Sequence, residues 1–156
     1  MNMKRTSVGT IILLIGISSL SAGCMKSHEK EKVVALVKEY NKALMKAYET
    51  RNFDELKNLT SDREYQKVSV YIMSYAGQGE KLYARLMNLN VSKVDIAGNA
   101  ADVTTSEEWE YQRSYLKTGK PLIPKAKYSY RTEYHLIKEG GKWKIDALKI
   151  ITEERH

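Results

Sequence analysis

The chain holds a single cysteine, Cys24, among 156 residues. One thiol excludes an internal disulfide framework and any cysteine-cluster metal site. Proline is scarce, at two residues, and the mix of apolar and charged residues is that of a globular domain rather than a disordered tail. The length suits one domain and hardly two. There is no phosphate-cradling glycine loop, no nucleophile elbow, no His-Glu-x-x-His and no internal repeat. Acid is in deficit: the formal charge is +7, and +5 without residues 1–23, which carry Lys4 and Arg5 and no acid. Such a charge suits nucleic acid, anionic lipid or anionic wall polymer and does not choose among them. Phenylalanine is nearly absent, with one residue against eleven tyrosines. A tyrosine buries its ring while its hydroxyl seeks a polar partner, which points to a partly polar interior, a groove or an interface.

What is present begins at the N-terminus. Met1–Arg5 is positive, Val8–Ile17 is dominantly apolar, and Ser18–Gly23 are small apart from Leu20. This is the tripartite layout of a secretory signal. Its apolar run is shorter than the ~20 residues of a transmembrane helix. The ending Leu20-Ser21-Ala22-Gly23-Cys24 resembles the lipobox of bacterial lipoprotein precursors, with Leu20 one place further from the cysteine than is usual. The resemblance implies cleavage before Cys24, acylation of its thiol, and a protein held on the extracytoplasmic face of the cell membrane. Two or three acyl chains, at ~0.8 kcal/mol per buried methylene, anchor stably. The expected organisation is a signal peptide over 1–23, the lipidated cysteine and a polar tether over 24–31, a folded domain over 32–151, and a tail over 152–156.

Helical spacing runs from Glu29 to Glu49, with Val33, Val37, Tyr40, Leu44 and Ala47 on one face and lysines on the other. Asn52 is placed to cap a short helix through Phe53, Leu56 and Leu59. Ser61 and Glu64 form a capping-box pattern ahead of a helix bearing Tyr65, Val68, Ile72 and Tyr75. Glu80–Asn88 is expected as a further short helix or turn. From Leu89 the period becomes two, predicting strands at Val91–Ile96, Ala101–Tyr115, Lys127–Lys138 and Lys142–Ile150. "KTGKPLIPKA" is expected as a hairpin loop. Trp143, Ile145 and Ala147 should share a face. Helices first and a meander second give an α+β fold, with N-terminal helices packed on one face of a curved four-stranded antiparallel sheet.

That order, closing on "YHLIKEGGKWKIDAL", resembles the nuclear transport factor 2-like (cystatin-like) superfamily. Phe53, Leu56, Trp109, Tyr134 and Lys142-Trp143-Lys144-Ile145 carry the likeness over roughly Glu29–Ile150. The superfamily includes isomerases, dehydratases, transport adaptors and non-catalytic extracytoplasmic modules, so fold does not hand over function. Its enzymes place an acid or base in a cavity between sheet and long helix. Here the one acid on the Trp109 face is Glu107, so Glu107 with Tyr111 or Tyr130 is the available acid/base set. The alternative is a rim carboxylate paired with Arg113 or a lysine.

The expected function is a lipid-anchored, non-enzymatic binding or docking domain at the cell envelope. Its ligand or partner surface is expected at Trp109, Tyr111, Tyr128, Tyr130 and Tyr134. The alternatives are an isomerase- or dehydratase-like enzyme using Glu107, and a structural module organising another envelope protein. No metal, cofactor or nucleic-acid partner is expected. Expected partners are the membrane through Cys24, an envelope protein or anionic wall polymer, and a second copy through the outer sheet face. That face carries Glu108, Glu110 and Gln112 opposite Ser129, Arg131, Glu133 and His135, which suits cross-strand ion pairs. Lys117, Lys120, Lys125 and Lys127 form the densest local positive charge outside the first helix.

Overall fold

The computed structural model describes residues 21–156, with side chains from Ser27 onward. Residues 1–20 of the expected signal segment, and the side chain of Cys24, lie outside the described residues. Three helices, α1 (Ser21–Thr50), α2 (Asp54–Leu59) and α3 (Asp62–Gly77), precede four strands: β1 (Glu80–Ala97), β2 (Ala100–Tyr115), β3 (Pro121–Glu139) and β4 (Lys142–Arg155). The strands form one antiparallel meander in the order β1-β2-β3-β4.

α1 buries Val33, Val37, Tyr40, Leu44 and Ala47 on the expected face and turns its lysines to solvent. It is already helical at Ser21, the first described residue, and so covers the stretch before Glu29 as well, where neither proline nor glycine follows Gly23 to interrupt helical backbone. The polar stretch 25–32 is therefore helical. Glu29 within it accepts from Trp143 Nε1 at 2.8 Å and from Lys138 Nζ at 2.7 Å, clasping α1 to the β3–β4 hairpin. The helix ends at Arg51, a non-glycine residue at φ +57°, whose N–H returns to the Ala47 carbonyl at 2.9 Å. The Asn52 side chain accepts from the Asp54 N–H at 2.9 Å, although Phe53 occupies the cap position of α2. Ser61 caps α3 by accepting from the Glu64 N–H. Its own N–H goes to Ile145 O at 2.9 Å, which covers part of the β4 edge.

The largest departure from expectation is Glu80–Asn88, which is the first half of β1 and not a helix. Leu82 and Leu86 are four apart, as on a helix, but Ala84 between them is buried too. Bulges at Met87 and Ser92 interrupt the ladder with β2. Each extra residue resets the alternation, so the inward set runs 82, 84, 86, then 89, 91, then 94, 96. The same device corrects β4. A bulge at Asp146 puts Ala147 opposite His135 and brings Leu148, not Ala147, opposite Tyr134. Arg63 Nη2 holds this bulge through the Asp146 carbonyl at 3.1 Å and its carboxylate at 2.5 Å.

The expected hairpin loop and the expected tail are both largely strand. Pro121 to Ala126 extends β3, leaving a tight turn at Leu116–Lys120. Thr152–Arg155, expected as a tail, pairs with Tyr128–Arg131. The β3–β4 turn is Gly140-Gly141, both at positive φ, as a two-residue hairpin requires. The core lies between the helices and the inner sheet face, with Val37, Leu56, Val103, Leu136 and Ile145 fully buried.

Candidate functional site

The inner face of β2 presents Thr105, Glu107, Trp109 and Tyr111 at the two-residue spacing of a strand. Glu107 is 4% exposed, so it is no rim carboxylate. Thr105 Oγ1 and Tyr134 Oη each donate to its Oε1 at 2.6 Å, and Trp109 Nε1 donates to Oε2 at 2.7 Å. Behind Tyr134 stands Asn41 of α1, whose Nδ2 donates to Tyr134 Oη and to the Val37 carbonyl, both at 2.9 Å. Each proton in this chain is committed inside the protein. Arg113, the expected partner of Glu107, instead donates to Glu80 at 2.5–2.8 Å.

Above this floor lies a cavity of about 620 Å³ between helices and sheet. Trp109, Tyr111, Tyr128 and Tyr130 make its sheet wall. Tyr111 stacks on Trp109 at 5.7 Å between centroids and meets Tyr128 edge-on at 5.7 Å, while Tyr128 and Tyr130 stack at 6.0 Å. Tyr40, Tyr48, Tyr71 and Tyr75 make the helical wall. Tyr71, Ile150 and Glu153, all exposed, mark the mouth. Burial holds the hydroxyls of Tyr40, Tyr48, Tyr71, Tyr111 and Tyr134 well above the ordinary tyrosine range. Burial, then the charge of Glu153, pushes Tyr130 up to about 12. At neutral pH these six tyrosines are uncharged and keep their hydroxyl donors.

The structure therefore brings all five expected ligand-contacting residues to one cavity, with Trp109 and Tyr134 deep in it and Tyr128 and Tyr130 half-buried. Two further residues were missed. Asn41 lies four residues after Val37 and three before Leu44, so it occupies a core position of α1 and is fully buried. Glu64 lies four before Val68 on the buried stripe of α3 and is 2% exposed. Among the described residues the nearest partners of the Glu64 carboxylate are Lys67 Nζ at 3.3 Å and Tyr40 Oη at 3.5 Å. Burial raises its pKa, with Lys67 opposing. A polar residue at an apolar period was the available signal for both.

Elsewhere the strand assignment divides the loop lysines. Lys125 is tied to Glu110 at 2.8 Å and lies over the Tyr83 ring, whereas Lys117 and Lys120 stay in the exposed turn. On the outer sheet face, His135 meets Asp102 directly across the strands at 2.8 Å. Among the described residues no cluster of His, Cys, Asp or Glu has the makings of a metal site.

A helical layer folded over one face of a curved meander, with a cavity between them, defines the nuclear transport factor 2-like class of α+β domain. The sequence profile of the YvbJ NTF2-like domain matches residues 33–149, and the chain belongs to that family. Among solved structures, the intermembrane space region of the chloroplast protein ARC6 is similar at a TM-score of 0.68 and 18% identity, over 78% of this chain and 95% of that one. The Kfla4162 protein from Kribbella flavida is similar at a TM-score of 0.55 and 9% identity, over 83% of this chain and 95% of that one. A ketosteroid isomerase-like protein from Erwinia carotovora atroseptica SCRI1043 is similar at 0.53 and 14%, over 80% and 97%. At these identities the likenesses show the fold alone. No curated protein matches the chain.

Proposed function

We propose that this chain is a lipid-anchored extracytoplasmic protein whose cone domain binds a ligand or partner in its aromatic cavity without turning it over. The commitment of Glu107 carries the non-enzymatic half. A general base needs a free lone pair within reach of substrate. Three donors already bond Glu107, leaving at most one of its roughly four acceptor sites, and the Tyr134 proton that would serve an oxyanion is already given to it. The lipobox-like sequence at Cys24 carries the anchor. Replacing Cys24 by alanine is expected to release the protein from membranes or block its processing. A variant that stays in the membrane at unchanged mass overturns the anchor.

A second reading has one observation in its favour. A carboxylate 2.6 Å from a tyrosine hydroxyl lines an open cavity, as an isomerase or dehydratase would need. Small amphipathic compounds incubated with the full chain and recovered by mass spectrometry separate the two. Unaltered recovery supports binding. Chemical change that is lost in Glu107→Gln establishes the enzyme.

A further inference from the structure

The surface of this protein is basic, but the cavity is not. Its interior carries two buried carboxylates, Glu64 and Glu107, and its mouth a third, Glu153. Against them stand two cationic lining residues, Lys67 and Arg113, and Arg113 is already bound to Glu80 outside the cavity lining. The two deep carboxylates differ in kind. Glu107 takes three hydrogen bonds at 2.6–2.7 Å. Glu64 takes none shorter than 3.3 Å among the described residues, although it is as deeply buried. Its Lys67 partner is mostly solvent-exposed. A buried carboxylate that lines a cavity, with one long contact to an exposed lysine and one long contact to a tyrosine hydroxyl, keeps acceptor capacity for a cation arriving from the cavity side.

The walls favour the same charge. Ring faces carry the negative end of the aromatic quadrupole and draw cations within about 6 Å of the centroid. The protein already shows this at the cavity rim, where the guanidinium of Arg113 lies 5.6 Å from the Tyr75 centroid and that of Arg155 lies 5.9 Å from Tyr128. Other rings of the cavity, Tyr40, Tyr111 and Tyr130 among them, have no such cation among the described residues. An anion would meet carboxylates and ring faces here. A neutral glycan would leave Glu64 with only its long contacts to Lys67 and Tyr40.

We propose that the cavity selects an amphipathic organic cation, its ammonium head balancing Glu64 among the tyrosine rings and its apolar part along the sheet wall. This rests on the binding reading above and names the chemistry of its ligand. The test titrates the full chain with octyltrimethylammonium, octanol and octanoate, following heat and tryptophan fluorescence. The cation is expected to bind on the order of ten-fold more tightly than octanol, and octanoate more weakly than either. Glu64→Gln should erase the preference for the cation, with a cooperative thermal transition showing that the variant is folded. Tyr71→Leu, at a half-exposed wall position, removes a ring face from the cavity and should reduce the preference as well. Equal binding of cation and alcohol, or a preference that survives Glu64→Gln, overturns the cation proposal and leaves the binding reading standing. Binding of none of the three overturns both.

Discussion

At the residue scale, the chain Asn41–Tyr134–Glu107 is the polar spine of the interior. It ties the longest helix to the two central strands through side chains alone. Tyr134 is its middle member, with a donor on one side and an acceptor on the other. Tyr134→Phe keeps the ring packing against Tyr40 but strands one Asn41 N–H and one Glu107 acceptor. Leaving buried groups unpaired costs about 1–3 kcal/mol. Urea unfolding should show that loss as a lower midpoint at unchanged slope. A loss under about 0.5 kcal/mol would mean that water or neighbours replace the hydroxyl. The spine was half legible beforehand. Strand alternation puts Glu107 and Trp109 on one face, but no local pattern announces that a tyrosine 27 residues away closes the cage.

At the element scale, the instructive features are the places where regular structure is interrupted. β1 was hidden because its bulges at Met87 and Ser92 break the period by which a strand is recognised. The bulges also twist and bend the ladder, so the feature that curves the sheet over the helices is the one that obscured it. α1 ends differently, on an arginine forced into left-handed backbone at φ +57°. A side chain there meets its own carbonyl at a cost of roughly 1–2 kcal/mol, which glycine avoids. Arg51→Gly is expected to raise stability by about 0.5–1 kcal/mol, since the entropy of the unfolded chain offsets part of the relief. Chemical denaturation reads the sign directly. Destabilisation would show that the Arg51 side chain makes contacts worth more than its strain.

At the scale of the whole molecule, α1 is the arm that joins the proposed anchor to the domain, and Glu29 is where the arm meets the sheet. Lys138, then Lys32 and Trp143, hold the Glu29 carboxyl down at about 2. An unfolded glutamate titrates near 4.3. Because the folded value is the lower one, the clasp stabilises the native state fully above the unfolded value. That contribution fades as pH falls toward about 2. Wild type and Glu29→Gln should thus differ in urea midpoint at pH 6 and converge by pH 2. A difference that persists at pH 2 would show that the clasp acts through packing and not charge. The contrast between a basic exterior and a carboxylate-bearing cavity also belongs to this scale, because net charge is a sum and a cavity is a place.

The apolar face of α1, the inner face of β2 and β3, and the α+β class with helices ahead of a four-stranded meander are written in local sequence, the first half of β1 excepted. All of these follow from period and from turn residues, which act over a few neighbours. Long-range packing is what gives Glu107 its three donors, buries Glu64 and Asn41, and gathers the five expected aromatic residues in one cavity. It also decided that Lys125 and Arg113 are spent on other carboxylates. Those outcomes depend on which side chains meet across the meander and under the helices. Bulges set that register, and a bulge is a property of two strands rather than of either one.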